Sequence, residues 1–229
     1  MSKQLAGKRV VVTDANDFMG PSVVEVFREE GAEVVADTSD LREPGAAQRV
    51  IDAAGRVDVL VANLCEKKWF EAMAHEMPDD QWLGYFDDMV HPLMRLTRAV
   101  LPQMIERKAG KIVAMNSAAP IRGIPKIAAY CTARGAQNSF VRAVGLEVAR
   151  HNVQVNAIAQ NYVENPAYYP PEMLANADLM KRMLGVIPAK RLGRGEESAW
   201  LAAFLASDRS DFIVGQVIPF AGGWVTTTG

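Results

Sequence analysis

The chain has 229 residues, 49% of them hydrophobic and 23% charged, with a formal net charge of -2. That length suits one α/β domain with a large buried core, and so balanced a charge argues against nucleic acid or a membrane surface as partner. No apolar run reaches the roughly 18 residues of a membrane-spanning helix, and Met1 to Arg9 lacks the apolar centre of a secretion signal, so a cytoplasmic protein is expected.

Lys8 to Thr13 carries Val10-Val11-Val12, a β-branched run that reads as a buried strand. A helix follows with Val23, Val24, Val26 and Phe27 on its inner face and stops at Gly31. Ala32 to Ala36 is a second strand, Ala46 to Ala54 a helix ended by Gly55, and Val57 to Ala62 a further strand. Gln81 to Arg107 reads as a long helix with a kink or start at Pro92. Lys111 to Met115 is a strand, Ile127 to Arg150 a long helix and Val153 to Ile158 a strand. After an irregular, Pro- and Tyr-rich stretch from Asn161 to Leu184 come a helix over Glu196 to Ala206 and a last strand, Gln216 to Phe220.

Alternation of strand and helix specifies a parallel sheet covered on both faces. The expected order is 3-2-1-4-5-6-7, with ligands at the carboxyl ends of the strands. Without repeats or linkers, residues 1–229 read as one domain. A long irregular segment inside such a domain is usually functional, which singles out 161–184. Cys65 and Cys131 are far apart, and His75, His91 and His151 are scattered, so no metal site is expected.

The motifs carry a resemblance. Thr13 to Gly20 after the first strand, Ala62-Asn63-Leu64, Ser117, Tyr130 with Arg134, Ala99-Val100-Leu101-Pro102, and Gln216-Val217 through Ala221-Gly222-Gly223 resemble the short-chain dehydrogenase/reductases over essentially the full length. That family carries T-G-x-x-x-G-x-G, N-A-G, a Ser and Y-x-x-x-K in these places. The resemblance implies a doubly wound, Rossmann-like sheet, but a shared fold hosts many chemistries.

The departures bear on function. Asp14 and Phe18 replace two of the three glycines that let the backbone approach a pyrophosphate, and only Gly20 is kept. Asp37 ends the second strand as a turn residue. Asp40-Leu41, which looks like the pair after the family's third strand, follows within three residues. A parallel crossover needs about a dozen residues, so the intervening helix, and with it the third strand, is expected to be missing or reduced. Arg134 stands where the family has Lys, and Met89 where it has a relay Asn.

These changes together resemble the halohydrin dehalogenases, which use Ser-Tyr-Arg and carry an aromatic residue in the former cofactor loop. The resemblance implies catalytic roles for Ser117, Tyr130 and Arg134. It also implies a halide and substrate site at Phe18, Gln160, Asn161, Tyr162, Val163 and Tyr169, with no nucleotide cofactor. The backbone N–H groups of Tyr162 and Val163 would face the halide, with ring edges of Phe18 and Tyr169 around it. Gln160 departs from a proline of some members and puts a polar group near the anion. Tyr130 and Arg134 are four apart and share a helix face, and a guanidinium beside a phenol favours the phenolate needed of a general base. The implied ligands are a vicinal haloalcohol or epoxide and a halide or other small anion. The implied assembly is a homotetramer through the helices at 84–107 and 127–150, with the tail Trp224 to Gly229 reaching a neighbour. Two alternatives stand beside this: an NAD(P)-dependent oxidoreductase with an unusual loop, and a non-catalytic regulator on the same fold.

Overall fold

The computed structural model describes residues 3–226. Six runs rich in valine and alanine pair, every neighbour parallel, into one sheet of order β2-β1-β3-β4-β5-β6. The strands are β1 (Arg9–Val12), β2 (Glu33–Ala36), β3 (Val59–Asn63), β4 (Gly110–Ser117), β5 (Val153–Gln160) and β6 (Val217–Phe220). β3, β4 and β5 are buried at every residue. This is why they read as unbroken apolar runs and not as alternating ones.

Helices cover both faces. On one, α1 (Gly20–Glu29) and α9 (Gly195–Ala206) pack Val23, Phe27, Ala199 and Ala203 onto Val10, Val12 and Val113. On the other, α2 (Ala46–Ala54), α4 (His91–Arg107) and α6 (Ala128–Val148) pack Val50, Leu96, Val100 and Val141 onto Val11, Leu60, Ile112 and Val155. Each such side chain stabilises the fold by about 1.5–3 kcal/mol. Shorter helices complete the chain: α3 (Asp79–Tyr85), α5 (Ala119–Arg122), α7 (Pro171–Leu174) and α8 (Ala177–Val186).

The sheet has six strands, and the seven-strand order gives way to the reduced form. The chain leaves β2, runs through turns over 37–45 and enters α2 directly. That stretch is too short to cross a sheet face and return as a parallel strand. Leu41, buried among the side chains of the α2 and α4 layer, pins it, and the Asp40–Arg42 ion pair at 2.6 Å folds it on itself.

Two further differences have local causes. The expected helix 81–107 is α3 and α4 joined by a π-turn at Phe86–Val90. Pro92 has no N–H, and the wider turn just before it accommodates the broken ladder. Gln137 Nε2 donates to the Met89 carbonyl of that turn at 2.9 Å. The stretch expected to be irregular up to Leu184 is so only to Pro170. Beyond it lie α7 and α8, and Asn176 caps α8 by accepting from the Leu179 N–H.

α6 seats on the sheet through Gly145. A Cβ there would stand 2.7 Å from Gly215 Cα and 3.1 Å from the Val155 carbonyl oxygen. Both neighbours are backbone and cannot swing aside. Gly145→Ala is expected to cost about 2 kcal/mol and to lower the melting temperature in circular dichroism by about 4–8 °C.

Candidate active site

The carboxyl ends of β1, β3, β4 and β5 open onto a cavity of about 840 Å³, lined among others by Phe18, Glu66, Trp69, Ser117, Tyr130, Gln160 and Tyr168. The parallel register sets Ser117 beside Gln160 at the ends of β4 and β5. Asn116 anchors this edge to α6. Its Nδ2 donates to Arg134 O (3.2 Å) and Asn138 Oδ1 (2.7 Å), while its Oδ1 accepts the Ser117 N–H (2.7 Å). Ser117 Oγ accepts the Ala119 N–H at 3.1 Å, which aims the hydroxyl. Tyr130, one turn before Arg134 on α6, is edge-on to Trp69 (ring centroids 5.2 Å apart) and to Tyr85 (6.1 Å). Tyr130 lines the cavity.

Arg134 lies behind this wall, 0% exposed. Its guanidinium sits 5.3 Å from the ring centroids of both Phe18 and Tyr130. Nη1 donates to Met115 O and Gln137 Oε1, and Nη2 to Tyr168 Oη at 3.4 Å. Glu66 Oε2 is 4.0 Å from Nη2 and accepts the Tyr168 hydroxyl at 2.7 Å. Burial works against the Arg134 charge, but Tyr130, Tyr168 and Glu66 outweigh it and hold the side chain firmly cationic. Burial raises the Glu66 carboxyl above the ordinary range against the pull of Arg134 and Tyr168. It raises the Tyr168 hydroxyl well above its usual value too. Burial and the Glu66 charge push the Cys65 thiol up to about 12, so it is no nucleophile.

All nine residues singled out from the sequence come together here, eight on the cavity wall and Arg134 just behind it. Three details differ from expectation. The ring set edge-on to Phe18, 5.4 Å away, belongs to Tyr168; Tyr169 lines the cavity further along, its hydroxyl raised by burial. The Tyr162 N–H donates to Asn161 Oδ1 at 3.0 Å, because Tyr162 takes a left-handed turn (φ 56°) that folds the chain back on its neighbour. The Val163 N–H has no partner among the described residues. Gln160 is fixed by Ser198 Oγ, which donates to its Oε1 at 2.9 Å. Trp224 packs within its own chain, against Tyr162 and under Arg122, while 227–229 of the tail lie outside the described residues. Sequence reasoning missed Glu66, Trp69 and Tyr168. Glu66 opens the charged run Glu66-Lys67-Lys68, which reads as solvated surface.

The first loop keeps the path of a glycine-rich turn with only one of its three glycines, Gly20. Asp14 (φ 44°) and Phe18 (φ 47°) both adopt left-handed backbone, a conformation that costs a non-glycine residue about 1–3 kcal/mol. Gly20 is irreplaceable, since a Cβ would lie 2.5 Å from the Asp14 carbonyl oxygen. The N–H groups that would meet a pyrophosphate are taken: Ala15 by Asp37 O, Asp17 by Asp14 O, Phe18 by Asp17 Oδ1, Met19 by Asn63 Oδ1 and Gly20 by Asp17 O. Asn63 Nδ2 also donates to the Asp14 and Asp17 carbonyls at 3.0 Å. Lys67 Nζ pairs with Asp14 at 2.8 Å and its N–H with Asp88, bridging the groove. A dinucleotide does not fit these residues: among the described residues only the Asp14 and Asn16 N–H groups of the loop stay free, those of Phe18, Met19 and Gly20 at the start of α1 are used up, and the Phe18 ring fills the approach.

A family profile described as enoyl-(acyl carrier protein) reductase matches residues 3–225. With the parallel sheet and the Ser-Tyr pair, this places the chain in the short-chain dehydrogenase/reductase superfamily, to which it belongs. A 3-oxoacyl-(acyl carrier protein) reductase of Thermotoga maritima is 27% identical, covering 97% of this chain and 99% of that one. An oxidoreductase of Salmonella typhimurium is 29% identical over 96% and 95%. A solved structure described as a dehalogenation enzyme is 33% identical, with a TM-score of 0.89, covering 97% of this chain and 100% of that one.

The loop's closure hangs on Asn63, which is 0% exposed. Asn63→Ala leaves the Met19 N–H without a partner and takes from the Asp14 and Asp17 carbonyls one of the two bonds each accepts, and is expected to cost about 1–3 kcal/mol. A lower urea midpoint checks this; an unchanged midpoint means that water replaces the carboxamide.

Proposed function

We propose that the chain is a cofactor-independent halohydrin dehalogenase, closing vicinal haloalcohols to epoxides with release of halide. The observation that carries the reading is the placement of Phe18. The ring occupies the approach a nucleotide would use, and its far side meets the Arg134 guanidinium behind Tyr130. Ser117 donates to the substrate oxygen and holds it beside Tyr130. Tyr130 takes the hydroxyl proton, the oxygen attacks the neighbouring carbon, and the carbon–halogen bond breaks. Arg134, unable to lose its own proton, stabilises the phenolate through the field it exerts across the Tyr130 ring. The leaving halide gathers negative charge and needs donors already in place; the Val163 N–H and the Gln160 carboxamide are the groups at hand. Run backwards, the site opens epoxides with small anions. The likeness to the dehalogenation enzyme supports this reading.

The reductase names among the relatives favour a second reading, NAD(P)-dependent oxidation or reduction. The closed loop at 14–20 weighs against it. The assembly proposed is a homotetramer joined through the outer faces of α4 and α6, where Leu146 is 75% exposed.

Wild-type protein in nucleotide-free buffer is expected to release bromide from 1,3-dibromo-2-propanol, and Tyr130→Phe to lose at least about a hundredfold in kcat/KM. Equal rates would sink the mechanism. Calorimetric titration with NADH and NADPH is expected to give no binding heat, and turnover of either with an alcohol or ketone would establish the second reading.

A further inference from the structure

The mechanism uses Arg134 and Tyr130 and leaves a third charged group in the same enclosure unaccounted for. Glu66 is 8% exposed, lies 4.0 Å from the Arg134 guanidinium and receives the Tyr168 hydroxyl at 2.7 Å. Arg134 is enclosed and cannot be neutralised by proton loss. A buried cation of that kind needs an anion within reach. Two groups offer one: the Glu66 carboxylate on one side and the Tyr130 phenolate on the other.

We propose that Glu66 is a positioning residue that competes with the Tyr130 phenolate for the single positive charge of Arg134, and so sets the pH at which Tyr130 becomes a base. Tyr168 is the clamp of this arrangement. Its hydroxyl donates to Glu66 and its oxygen faces Arg134 Nη2 at 3.4 Å, so it holds carboxylate and guanidinium at a fixed separation. Phe18 packs edge-on to Tyr168 and keeps the clamp dry. With Glu66 ionised, the guanidinium is largely compensated and pulls weakly on the phenolate. With Glu66 neutral, Tyr130 faces the uncompensated cation.

The other groups around Tyr130 do not offer the same compensation. On α6 it is Arg134 itself. From the segment after β3, Cys65 keeps its proton, and Glu71 is tied to Trp69 Nε1 at 3.0 Å. On α3, the Tyr85 hydroxyl is bound to the Phe70 backbone and raised by burial. In the π-turn, Asp88 binds the Lys67 N–H and lies 3.9 Å from the Arg42 guanidinium. From the loop after β5, Tyr168 and Tyr169 are both raised by burial and stay neutral.

The inference rests on Tyr130 being the base, and its test reads ionisation without needing turnover. The phenolate absorbance of the wild type minus that of Tyr130→Phe isolates the Tyr130 signal across pH. The same difference is then measured on the Glu66→Gln background, with circular dichroism to establish folding. Loss of a neighbouring charge is expected to move the Tyr130 midpoint down by about one pH unit, and the acid limb of kcat/KM for bromide release to move with it. An unmoved midpoint in folded Glu66→Gln overturns the inference. If Glu66→Gln does not fold, Tyr168→Phe replaces it: loss of the clamp is expected to move the midpoint the same way, and no movement overturns the inference. A midpoint that moves in a protein releasing no halide upholds the role of Glu66 and overturns the dehalogenase reading alone.

Discussion

One buried cation organises this molecule's working end. Arg134 is fully enclosed, flanked by the rings of Phe18 and Tyr130, and joined to Met115, Gln137 and Tyr168. Enclosing a guanidinium is costly unless anions and acceptors surround it. The surroundings meet most of that demand with a carboxylate, a phenol clamp, two further acceptors and two π-faces, and leave Nε without a partner among the described residues. Where the superfamily places a lysine able to reach a cofactor, this chain places a rigid fork that faces inward. The change places the charge behind the cavity wall, against the rings of Phe18 and Tyr130.

The emptied cofactor groove follows the same logic in reverse. A glycine-rich turn binds a pyrophosphate because its N–H groups are free and its surface is bare. Here the turn retains its left-handed backbone at Asp14 and Phe18, yet its donors point at Asp37, Asn63 and the loop's own oxygens. The lost helix and strand after β2 remove the wall against which an adenosine would rest, and Lys67 ties Asp14 and Asp88 across the gap. The residues of this loop serve as packing, and Phe18 forms part of the cavity wall.

The sheet edge that bears Ser117 and Gln160 is held in place from two sides. Ser117 and Gln160 end two neighbouring strands in parallel register, so their separation is set by the sheet. Asn116 binds the same sheet edge to α6. The opposite wall, 161–170, is an irregular loop, which suits a surface that must fit varied substituents. Groups fixed by the sheet therefore face a wall built from a loop across the cavity.

The sequence by itself determined the parallel sheet and the missing strand after β2, while the nine residues that meet at the cavity were named by the resemblance to the halohydrin dehalogenases. The sheet and the missing strand were legible because strand hydrophobicity, helix periodicity and the 37–41 spacing are local properties, as is the helix face that Tyr130 and Arg134 share by their separation. What only the tertiary structure decided was which side chains from distant segments meet. Glu66 reads as one charge among lysines until β3 carries it under α6. Tyr168 and Tyr169 are adjacent and chemically alike, and the turn at Tyr162 and Asn165 decides which ring reaches Phe18. Burial, pairing and the competition for one positive charge are relations between segments about a hundred residues apart, such as Glu66 and Tyr168, and no local pattern encodes them.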